Sequence, residues 1–131
     1  MSKYEKKLKA MKADKAGTSP LVMVIVEDLL DQDDPKGYIE DVTNHGCVSG
    51  TCAELIYYKD TCAFYGKHKE EIWEMAGECQ QAGGYKTVLE FLATLNGAEN
   101  ADTVDQFENL MAWFAYEETT RKVAGMLDIE I

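Results

Sequence analysis

Residues 103–127 read TVDQFENLMAWFAYEETTRKVAGML, and this stretch decides the fold class. Thr103 and Gln106 form a capping box, in which the hydroxyl accepts an amide of the first turn and the glutamine reaches back to the cap. Behind it Phe107, Met111 and Phe114 fall on one helical face, while Trp113, Tyr116, Thr120 and Val123 fall on another. A helix apolar on two faces is covered on both, so the segment predicts a long C-terminal helix central to the core. Glu117 and Arg121 are an ordinary i,i+4 surface pair. Glu118 lies next to inward positions and needs a polar partner if it turns in.

Working outward, Val88, Leu89, Phe91, Leu92 and Leu95 predict one face of a shorter helix, stopped by Asn96-Gly97. Tyr65, His68, Ile72, Met75 and Cys79 recur at helical spacing up to a break at Gly83-Gly84. Thr51 and Glu54 make another capping box, followed by Cys52, Leu55, Ile56, Lys59, Cys62 and Ala63 on one stripe. Asp60-Thr61 either continues that helix or caps a new one. Asp34-Pro35 supplies a cap and a proline at the first helical position, and the helix it starts ends at His45 before Gly46. Ser19-Pro20 repeats the signal. Val22, Val24, Ile25 and Val26 behind it suit a strand as well as a helix, and the cap with Glu27-Asp28-Leu29-Leu30 favours helix. Ser2 and Glu5 cap a first helix, with Tyr4, Leu8 and Met11 as a thin apolar stripe, to about Lys15. Sustained period-2 alternation is absent. The expectation is all-α, a compact single-domain bundle of about six or seven helices around the C-terminal one.

Charge divides the chain in two. Residues 1–16 carry six lysines against Glu5 and Asp14, a balance of +4, and the rest carries −15, for a net charge of −11. The expected organisation is therefore a basic amphipathic helix over 1–16 and an acidic helical domain over 17–131. A body of −15 repels nucleic acid and anionic lipid, because binding those polymers relies on Lys and Arg. It suits a basic protein partner, although acidity also serves plain solubility. With 46% hydrophobic residues the chain can offset its ordering entropy, so this is no disordered acidic tail. The apolar run 21–26 is far shorter than the ~20 residues of a membrane span, and no secretion signal opens the chain. A cytoplasmic protein with reduced cysteines (Cys47, Cys52, Cys62, Cys79) is expected.

Sites for chemistry are sparse. His45, Cys47 and Cys52 are the nearest approach to a metal or Cys–His constellation, with Cys62 as a further thiol. Their Cys-x4-Cys and Cys-x9-Cys spacings are not those of structural zinc, and His45 closes a helix where it favours the C-terminal dipole. Neither enzyme activity nor a bound metal or other cofactor is expected. His68, on an apolar face, reads as a satisfied core residue before it reads as a pH-sensitive or metal site with Glu71 or Glu118. Two acidic groups remain: Glu70, Glu71, Glu74 and Glu78, which form a ridge along a helix, and Asp28, Asp31, Asp33 and Asp34. They are the candidate partner-binding residues.

Residues 41–50 (DVTNHGCVSG), the run LIYYKDT at 55–61 with Phe64, Tyr65, His68, Glu71 and Ile72, and AWFAYEE at 112–118 resemble a family of short tailed-phage and prophage proteins carrying a domain of unknown function. The matching positions cover about a third of the chain, and leave out the basic first helix and the 76–103 segment. The resemblance implies a phage origin. Small acidic phage proteins without enzymatic activity frequently inhibit host defence, so the expected function is stoichiometric inhibition of an anti-CRISPR or anti-restriction kind. The partner would be a host defence protein, such as a CRISPR effector, whose nucleic-acid-binding surface is occluded. Direct nucleic-acid or membrane binding is not expected. The alternatives are a self-associating phage module, for example a homodimer, and a small Cys/His metal protein or enzyme.

Overall fold

Among the described residues, which are 3–14, 17–45, 61–95 and 98–131 (backbone alone at 45, 61, 62 and 100), the computed structural model has six α-helices, one 3-10 helix and no strand. The helices are α1 (Glu5–Ala13), α2 (Pro20–Leu30), α3 (Pro35–His45), α4 (Thr61–Ala82), α5 (Val88–Leu92) and α6 (Val104–Met126), with the 3-10 turn at Ala98–Asn100. The protein is all-α, as its periodicity predicts. It divides into two compact units, one of Met1–Asn44 with Tyr116–Ile131 and one of His45–Ala115.

In the first unit the local signals act as written. Ser19 Oγ accepts the Val22 amide at 3.2 Å, with Pro20 in the first turn, so 20–30 is helix despite its β-branched content. Asp34 does the same for α3, its Oδ1 accepting the Gly37 amide at 3.1 Å. The first helix differs. It opens at Glu5 with Tyr4 at the cap position and no side-chain bond there, while Ser2 lies outside the described residues. What holds α1 is packing, since it lies on α2 and Leu8 is fully buried. Burying one leucine contributes about 1.5–3 kcal/mol. Lys3, Lys6, Lys7, Lys9 and Lys12 all remain exposed around it. Leu21, Ile25, Val26, Leu29, Ile39, Val42, Val123 and Leu127 are among the other buried apolar residues of this unit.

The C-terminal stop of α6 is a Schellman motif. The Ile129 amide reaches the Ala124 carbonyl at 2.9 Å and the Asp128 amide the Gly125 carbonyl at 3.2 Å, with Asp128 in the left-handed region at φ 59°. Ile129, just past the turn, is buried.

The second unit is built on α4, which packs against α5. Its helical dihedrals are interrupted at His68 (φ −117°, ψ 20°), so the 22-residue helix is two helices joined at a kink. Trp73 Nε1 donates to Tyr65 Oη at 2.9 Å across that kink. Residues 65 and 73 would lie about 12 Å apart along a straight axis, a gap that bending the helix shortens. Gly84, at φ 74°, supplies the αL residue of a second Schellman turn, with the Tyr85 amide on the Gln80 carbonyl at 3.0 Å.

Helix α5 is shorter than its apolar pattern suggests. Thr87 caps it through the Glu90 amide at 3.1 Å, and Leu92 alone of its five residues is fully buried. Leu89, expected on the inward face, is 65% exposed. Thr94 and Leu95 bond three residues back, to Phe91 and Leu92, so the chain leaves the 3.6-residue period after Leu92.

Helix α6 is continuously buried from Leu110 to Tyr116. A helix apolar all round in this way belongs inside the protein. Its residues to Ala115 belong to one unit and those from Tyr116 to the other. The Thr103–Gln106 capping box opens it, with Gln106 N on Thr103 Oγ1 at 3.2 Å and Gln106 Oε1 on the Thr103 and Asp102 amides at 3.1 and 2.9 Å.

Candidate functional site

The acidic ridge lies beyond the kink of α4. Glu70, Glu74 and Glu78 are exposed and Glu71 half-buried, while Ile72, Met75 and Ala76 of the same helix are buried. A helical rise of 1.5 Å per residue spaces 70, 74 and 78 about 6 Å apart along one edge. The kink changes how the ridge is read. Glu70 and Glu71 occupy the first turn of the post-kink segment, where negative charge interacts favourably with the helix dipole. Glu74 and Glu78 lie past that turn, where the dipole offers no such support. Lys67 and Lys69, both exposed, flank the start of the ridge, so its net anionic character rises towards Glu78.

The second acidic group separates on inspection. Asp31, Asp33 and Asp34 are exposed, and Asp34 is occupied as the α3 cap. Asp28 is half-buried instead, and accepts the Tyr116 hydroxyl at 2.7 Å. The one proton of Tyr116 goes to Asp28, so Tyr38 donates to the Tyr116 oxygen in turn. Burial raises the Asp28 pKa above its usual 3.8, the Tyr116 hydrogen bond opposes this, and the Asp31 and Glu27 charges add to it. The Tyr116 pKa stands well above 10.0, pushed there first by burial and then by Tyr38 and Asp28. Proximity along the chain groups Asp28 with its acidic neighbours. Yet it follows Leu21 and Ile25 on the buried face of α2 at i+7 and i+3, and that spacing is the signal that places it inside.

Arg121 gathers a further polar set in the same unit. Its Nη2 donates to the Thr43 carbonyl near the end of α3 and to Glu117 Oε1, both at 3.1 Å. Thr43 and Thr120 satisfy their own hydroxyls on backbone carbonyls of α3 and α6. Of these bonds the one from Arg121 to the Thr43 carbonyl joins α6 to α3, and the others close within a single helix.

His68 is buried, with its ring centroid 5.1 Å from that of Phe64. Desolvation lowers its pKa below 6.5, Lys67 lowers it further, and Glu71 pulls the other way. Of the metal and Cys–His candidates, Cys47 and Cys52 lie outside the described residues, as do the side chains of His45 and Cys62. Among the described residues no three His, Cys, Asp or Glu side chains are grouped to hold a metal ion. Also among them, no helix is long and apolar enough to cross a membrane.

A family described as a domain of unknown function, DUF7222, matches residues 8–129. The match takes in α1 from Leu8 and the whole 76–103 segment, both of which the shorter resemblance leaves out. No curated protein and no solved structure matches the chain.

Proposed function

The chain belongs to the DUF7222 family, and on that premise we propose that it disarms a host defence protein by stoichiometric binding. In this reading it is phage-encoded, of an anti-CRISPR or anti-restriction kind, and acts in the bacterial cytoplasm. Its target is a basic, nucleic-acid-binding groove, such as that of a CRISPR effector. The observation that carries the reading is the α4 edge, where Glu74 and Glu78 continue the line of Glu70 in solvent while Ile72, Met75 and Ala76 anchor the helix in its unit. A fixed row of carboxylates offers Lys and Arg side chains the anionic pattern they otherwise take from phosphates. It need not be turned over, so no catalytic group is required. Asp31, Asp33 and Asp34 form a second acidic surface, and Asp28 is half-buried and held by Tyr116.

The direct test is expression in a bacterium with an active CRISPR or restriction system, challenged with a targeted phage. Wild-type protein should raise plating efficiency by orders of magnitude, and Glu74→Lys with Glu78→Lys should remove most of that gain. Unchanged plating across a panel of such systems would defeat the reading.

A further inference from the structure

The unit formed by Met1–Asn44 and Tyr116–Ile131 contains a groove of about 630 Å3 between α1, the start of α2 and the end of α6. Volumes of roughly 300–1,000 Å3 are those of ligand sites. Met11, Val22 and Met126 give it apolar lining, while Lys7 from α1 and Lys122 from α6 line it from two elements. Among the described residues Asp14 is the one acidic residue in its lining, and its carboxylate is turned to its own loop, accepting the Gly17 amide at 3.1 Å. In a chain with 24 acidic and 13 basic side chains, a concavity of this make-up runs against the overall charge. Lys7 has a contact with Asp128, but at 3.9 Å, with both side chains largely exposed, it is readily exchanged for a better anion. Met126 is 45% exposed despite its size, and methionine adapts to irregular apolar partners.

We propose that this groove binds an acidic amphipathic peptide segment of a partner protein. Leucine-like side chains of the segment would meet Met11, Val22 and Met126, and its carboxylates would meet Lys7 and Lys122. Charge complementarity selects the occupant: the apolar lining favours a side chain over a bare anion, and the lysines reject the basic segments that an acidic protein otherwise attracts. The inference is independent of the α4 ridge, because it concerns a surface of opposite sign in the other unit.

Fluorescence anisotropy with a labelled heptapeptide, Glu-Leu-Leu-Glu-Glu-Leu-Leu, tests it on the full chain. Wild-type protein should bind saturably at low salt. Lys7→Glu with Lys122→Glu should weaken binding at least tenfold, Lys7→Gln with Lys122→Gln less so, and Met126→Ala severalfold without altering the salt dependence. The charge-matched pair Lys36→Glu with Lys86→Glu, at exposed lysines outside the groove, should leave binding within twofold. No saturable binding, or equal loss in both charge-reversed pairs, would overturn the proposal. So would sedimentation showing a wild-type dimer that Lys7→Glu with Lys122→Glu dissociates, because the groove would then be covered by a second copy.

Discussion

Tyr116 donates its hydroxyl proton to the Asp28 carboxylate at 2.7 Å, joining α6 to α2 across 88 positions of sequence. The bond sits where the unit is nearly dry, with Tyr116 1% exposed and Tyr38 close behind it. Removing the hydroxyl in Tyr116→Phe leaves both Asp28 and Tyr38 without it. Stability should fall by about 1–3 kcal/mol, read from the midpoint of urea unfolding. A midpoint equal to wild type would mean that water replaces the bond at no cost.

Asp28 makes acid stabilising rather than destabilising over a limited window. Its folded pKa is raised above 3.8, so the folded chain holds the proton more tightly than the unfolded one. Its contribution therefore improves as pH falls through the folded value towards 3.8, and is unfavourable above that value. Asp28→Asn keeps an acceptor for Tyr116 and removes the buried charge. The variant should match or exceed wild-type stability at pH 7 and lose this gain on acidification, measured by unfolding at a series of pH values.

His68 acts in the opposite sense. Its folded pKa is lowered below 6.5, so stability is fully present above pH 6.5 and is lost as pH falls from 6.5 through the folded value. His68→Gln should flatten unfolding stability across that interval. If the slope persists in the variant, the titration belongs to another group.

Asp128 is a non-glycine residue at φ 59° in the turn that stops α6. Asp128→Gly relieves the left-handed conformation and should raise stability by about 0.5–1 kcal/mol after the added chain entropy of glycine. The Lys7 contact it removes is too exposed to offset this. A fall in melting temperature would show that the side chain has a further role.

Local grammar makes much of this protein legible. The caps at Ser19, Asp34 and Thr103 and the break at Gly83-Gly84 are short-range signals, each satisfied within a few residues, and they mark the helix ends observed. The two-faced pattern of 107–123 likewise announces a buried helix. The kink at His68 is hidden because no proline marks it and the apolar spacing runs on through it. The Asp28–Tyr116–Tyr38 set is hidden for another reason, since its partners are 78 and 88 residues apart and no periodicity links them. Proximity in sequence makes Asp28 look like part of an acidic surface, when its place on the α2 face already turns it towards the buried side. The groove at Lys7 and Lys122 is a meeting of three helices, which charge counting along the chain divides between two regions.

Occlusion of a nucleic-acid groove is read out by competition with the nucleic acid itself. A CRISPR effector or restriction enzyme from a host in which expression of the protein raises phage plating would be bound to labelled DNA and titrated with the protein. DNA should be released at an equimolar ratio, with release weakened by rising salt and abolished by Glu74→Lys with Glu78→Lys. Undiminished DNA binding at saturating protein, or release that ignores those two substitutions, would contradict it.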